Sequence, residues 1–149
     1  MKKFILPLFV LLLSLSTFAQ KGRDKIKALK VSFITERLEL TEQEAQQFWP
    51  IYNAYDDVTI KIKFSDIRKI RHEIKQDIAT MSNERATELL NQLSDLEKKL
   101  HDEDTKLISK LKKIISPKKI ILLKISEEDF KKKLFEHFKQ MRQNRKKPE

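Results

Sequence analysis

The stretch Leu38-Glu39-Leu40-Thr41-Glu42-Gln43-Glu44-Ala45-Gln46-Gln47-Phe48-Trp49-Pro50-Ile51-Tyr52 holds a helix start, an aromatic cluster and a proline. Thr41 followed three residues later by Glu44 has the form of a capping box. The hydroxyl accepts from an orphan backbone N–H, and the carboxylate reaches back to the N–H of the capping residue. The long helix is therefore expected to begin just after Leu40 and Thr41. Pro50 falls well inside it, where a proline removes one ladder hydrogen bond and costs about 3 kcal/mol in a straight helix. A proline kept beside Trp49 predicts a bend at that point.

Outward from this start, apolar residues recur at helical spacing throughout. A first helix over residues 24–38 carries Ile26, Leu29, Phe33, Ile34 and Leu38. The second, from the Thr41 cap to residue 78, has a main stripe of Ala45, Phe48, Trp49, Tyr52, Ile60, Ile67, Ile70, Ile74 and Ile78. Ser82 or Asn83 caps a third over residues 83–115, whose seam of Leu89, Leu93, Leu96, Leu100, Leu107, Leu111 and Ile114 is close to a heptad. Ser116-Pro117 opens a fourth, with proline at the first helical position, where its missing N–H is harmless. No segment alternates with period two. The expected fold class is all-α, four amphipathic helices forming a long bent helical hairpin.

Composition narrows the chemistry. The chain has no cysteine, and its one glycine is Gly22. That excludes phosphate-cradling loops, dinucleotide fingerprints and nucleophile elbows, which all need glycine where backbone approaches a ligand. Charged residues make up 36% of the sequence, as expected of helices with wet outer faces. His72, His101 and His137 are far apart and read as surface residues. The run His101-Asp102-Glu103-Asp104 offers acceptable ligands for a divalent ion, but neighbouring helical positions point in different directions. The sequence thus calls for no catalytic residue, no metal and no cofactor, and an enzyme is not expected.

Residues 1–19 read as a cleavable secretory signal peptide. Lys2 and Lys3 precede an apolar run interrupted by Pro7, and Thr17-Phe18-Ala19 presents small residues to a signal peptidase. The expected compartment is the periplasm, with a helical domain over residues 20–141 and a basic disordered tail over 142–149. The formal net charge of +10 is concentrated near the end, where residues 131–147 hold eight basic residues against Glu136 alone. Export argues against a nucleic-acid partner. Unfolded or acidic proteins, an acidic partner domain or peripheral contact with an anionic membrane remain, reached through long-range attraction.

Two features exceed a plain bundle. Ile51, Tyr55, Val58 and Ile62 form a second stripe off the main face, a candidate partner surface together with Trp49 and the flanking cations Lys61, Lys63, Arg68 and Arg71. Within the third helix, Glu103 or Asp104 interrupts the seam between Leu100 and Leu107, and must be wet or paired with a base.

Residues 36–52 resemble the first motif of the Spy/CpxP-like periplasmic proteins, the LTxxQ family, and look closest to the Bacteroidetes branch labelled as sensors of ECF-type sigma factors. Ile115-Ser116-Pro117-Lys118-Lys119 resembles the motif's second copy, followed by Glu127, Glu128, Phe130 and Leu134. The resemblance treats Leu40, Thr41, Glu44, Pro50, Ser116 and Pro117 as structural. The motif glutamine is Glu44 in the first copy, which still closes a capping box, and Lys119 in the second, which cannot accept a hydrogen bond. The resemblance implies a bent antiparallel homodimer with a concave cradle. It further implies an ATP-independent chaperone or stress-response protein binding unfolded partners. The alternative is a signalling component engaging a membrane-bound anti-sigma or sensor protein.

Overall fold

The computed structural model describes residue 22 and residues 24–144, all regular structure there being helical. The elements are α1 (residues 24–38), α2 (Glu42–Lys61), a π-helical turn (Ile62–Asp66), α3 (Ile67–Asp77), α4 (Asn83–Leu111) and α5 (Pro117–Asn144). With the π turn joining α2 to α3, these are the four helices expected. The signal peptide expected over residues 1–19 lies outside the described residues, as do residues 145–149 of the expected tail. Arg142, Gln143 and Asn144 belong to α5 rather than to a disordered tail. Contacts divide the chain into two units, Thr41–Ile120 and the remainder built on α1 and the rest of α5.

In the Thr41–Ile120 unit, α2, the π turn and α3 pack along α4 as a helical hairpin. Phe48, Tyr52, Thr59 and Ile62 are the buried side chains before and within the turn, and Ile67 and Ile70 those after it. From Phe48 to Ile62 the spacing suits an α-helix, and from Ile62 to Ile67 it is five. The cause is local: the Ile67 N–H donates to the Ile62 carbonyl, closing an i→i+5 turn that inserts one extra residue. Without it, α-helical spacing after Ile62 would turn Ser65 or Asp66 inward.

That inserted residue corrects the main stripe read from the sequence. Ile60 keeps phase with Ile67 only in an unbroken helix, and it is 46% exposed. Ile62, placed by sequence on the second stripe, is 2% exposed and belongs to the core. Ile78, just past α3, is also exposed. Pro50 sits inside α2 on an exposed position, where the carbonyl lacking its donor can be solvated. The backbone irregularity of this helix lies further along, at Ile62–Asp66.

Aromatic side chains stiffen the start of α2. Phe48 stacks on Tyr52 at 5.3 Å between centroids, and Trp49 meets both edge-on at 4.9 and 5.6 Å. Such pairs contribute about 0.5–1.5 kcal/mol beyond the area they bury. α4 begins at Ser82, whose hydroxyl accepts from the Arg85 N–H at 3.2 Å. The Arg85 guanidinium then bridges Glu73 of α3 and Glu88 of α4 at 2.6 and 2.7 Å.

The other unit closes α1 onto α5. Phe33 packs on Phe130 at 5.8 Å, Arg37 pairs with Asp129 at 2.8 Å, and the Lys133 ammonium lies 4.7 Å from the Phe33 ring centroid. Ile34, Leu38 and Leu123 are buried. Ser126 is buried too, and its hydroxyl donates to the Leu122 carbonyl at 2.7 Å, which leaves no orphan polar atom. α1 ends in a Schellman motif: the Leu40 N–H reaches the Thr35 carbonyl and the Glu39 N–H the Glu36 carbonyl. Glu39 adopts φ 46° there, a left-handed conformation usually given to glycine. In a chain with one glycine, a glutamate carries the strain.

Candidate functional site

The starts of α2 and α5 are capped differently. At the start of α2 the capping box is complete: the Glu44 N–H donates to Thr41 Oγ1 at 3.2 Å, and the Thr41 N–H donates to Glu44 Oε2 at 2.9 Å. At the start of α5 only half is built. The Lys119 N–H donates to Ser116 Oγ at 3.3 Å, and the Lys119 side chain, unable to accept, turns elsewhere. Its ammonium donates to Glu44 Oε2 at 2.7 Å. One carboxylate oxygen thus closes the first box and ties it to the second helix start. This bond from Lys119, together with the Thr41 N–H, holds the Glu44 carboxyl below its ordinary pKa. Leu40 is half-buried, and Pro117 occupies the first position of α5.

The expected second stripe does not remain one surface. Trp49 and Ile51 are half-buried, with Trp49 held in the aromatic cluster. Tyr55 is half-buried and its hydroxyl donates to Asp104 Oδ1 at 3.3 Å, which accounts for the carboxylate that interrupts the α4 seam. Glu103 beside it takes Lys106 at 2.8 Å. Ile62 is core, so only Val58 of the four stripe residues stands open to solvent. Packing within the hairpin therefore accounts for most of this stripe.

The flanking cations behave differently. Lys61 is exposed on the last turn of α2. Lys63, Arg68 and Arg71 line a shallow groove along the outside of the π turn and α3, joined there by Phe64, His72 and Lys75. Phe64 is 68% exposed. Arg68, Arg71, His72 and Lys75 are exposed as well, and none of the three permanent cations among them makes an ion pair among the described residues. Residues 64, 68, 71, 72 and 75 follow one helical face, adjacent to the stripe of Ile67, Ile70 and Ile74. Phe64 and Lys75 are not expected from the sequence as partner-site residues, and His72 is expected there only as a surface residue. A signal existed: Phe64 falls on neither apolar stripe, yet shares a face with Arg68 and Arg71.

This surface has an apolar ring at one end and exposed cations along about 16 Å of helix, at 1.5 Å per residue. It offers no nucleophile paired with a base and no converging acid–base pair. Among the described residues no three His, Asp or Glu side chains gather as a metal site, and no helix is long and apolar enough to cross a membrane. On such a surface charge can act at a distance and an exposed ring can supply contact area. No protein-family model, curated protein or solved structure matches the chain.

Proposed function

We propose that this chain is a non-enzymatic binding protein of the Spy/CpxP-like kind, which holds unfolded or stress-exposed acidic polypeptides in the periplasm without ATP. The observation that carries this reading is Phe64, largely exposed among Lys63, Arg68, Arg71, His72 and Lys75. A bare aromatic ring in a soluble helix is a liability unless something covers it for part of the time. Cations around it attract acidic segments from a distance and let go when salt or competition screens them.

The test uses the chain from Gln20 onward, mixed at low salt with several unrelated aggregating proteins. Aggregation should be suppressed, less so at high salt, and less so by the variant Phe64→Ser with Arg68→Gln. Failure to protect any client overturns the reading. Protection of none, with tight capture of one specific membrane protein, would replace it with the signalling alternative.

A further inference from the structure

A second bare surface lies on α5, away from the side that α1 covers. The inner side of that segment is engaged: Phe130 against Phe33, Asp129 with Arg37, and Lys133 over the Phe33 ring. The outer side carries Phe135 and Phe138, exposed by 71% and 42%. Lys131 and Phe135 are one turn apart, as are Phe138 and Arg142, and these four positions share one helical face. Lys132 and Lys139 flank it. Lys131, Lys132, Lys139 and Arg142 make no ion pair among the described residues, and Glu136 is the one acid over residues 131–144.

We propose that the outer face of α5 over residues 131–142 is a docking site for an anionic lipid surface. Two aromatic rings project from a single helical face, bracketed by long cationic side chains. When such a helix lies flat, its rings enter the headgroup boundary while lysine and arginine stems reach back to the phosphates. An acidic peptide would satisfy the cations but would leave two rings without a groove to close over them. A planar, apolar-beneath-anionic surface meets both demands at once, and each juxtamembrane cation adds about five-fold to the affinity. This face shares no residue with the Phe64 surface, and the inference does not rest on the chaperone reading.

The test is co-sedimentation of the chain from Gln20 onward, which contains every described helix. The vesicles are phosphatidylcholine, with and without phosphatidylglycerol. Binding should require phosphatidylglycerol and weaken with salt. Phe135→Ser with Phe138→Ser should reduce partitioning at least ten-fold, and so should Lys131→Gln with Arg142→Gln. All four positions are exposed, so helicity by circular dichroism should match the parent. Lys63→Gln with Arg68→Gln removes the same charge elsewhere and should change partitioning less than two-fold. Equal loss in that control reduces the effect to net charge and overturns the proposal. Unchanged partitioning of either α5 variant overturns it too. So does a shift from dimer to monomer in the phenylalanine variant with vesicle binding intact, which would show a second copy covering this face.

Discussion

The starts of α2 and α5 follow one plan and finish it differently. Thr41 and Glu44 complete a reciprocal box, whereas Ser116 caps alone and its third neighbour, Lys119, spends its charge on Glu44. The third residue after the cap is an acid at one start and a base at the other, and the two lie 2.7 Å apart. A lysine three residues after a cap cannot close its own box, but here it pairs with the carboxylate that closes the other, so a local capping position also makes a tertiary contact.

Removing the hydroxyl of the complete box should have the largest effect. Thr41→Ala strands the Glu44 N–H and loosens the carboxylate that Lys119 depends on, so a loss of about 1 kcal/mol is expected in urea denaturation. Ser116→Ala removes a longer bond from a helix already pre-set by Pro117, and its loss should be about 0.5 kcal/mol, at the low end for a cap. If the two losses are equal, the reciprocal half of the first box contributes nothing, and the contrast between the helix starts is only geometric.

Much of this architecture is visible in the sequence because it is local. Caps at Thr41, Ser82 and Ser116, proline at the head of α5, and apolar periodicity each need only a few neighbouring residues to be read. The π turn is different. Nothing in Ile62-Lys63-Phe64-Ser65-Asp66 announces an inserted residue, because a helix accepts one only where packing on both sides rewards the change of phase. Ile60 and Ile62 consequently exchange places between surface and core. The second stripe dissolves for a similar reason, since Tyr55 finds Asp104 only once α2 and α4 lie together. Lys63, Arg68 and Arg71 were legible as cations, and helical spacing already groups Phe64 and Lys75 with Arg68 and Arg71, but the exposure of the Phe64 ring is set by the fold.

The finest comparison is between the charges themselves. Glu44→Gln keeps an acceptor for the Thr41 N–H, so the box survives while the ion pair is lost. Lys119→Gln removes the pair from the other side. Each single variant should be slightly less stable than the parent, and the double variant, which places glutamine in both copies, should lose less than the two singles combined. Such non-additivity is the signature of residues in contact. The pH dependence has a definite sign. The folded-state pKa of Glu44 lies below its ordinary value of 4.5, so its stabilisation is present above that value and is lost as pH falls through the lower one. The stability gap between parent and Glu44→Gln should therefore be constant near neutrality and close progressively below pH 4.5. Added salt should narrow it at pH 7, because the pair is only half-buried. A gap that persists unchanged into strong acid would assign the effect to the shape of residue 44 rather than to its charge.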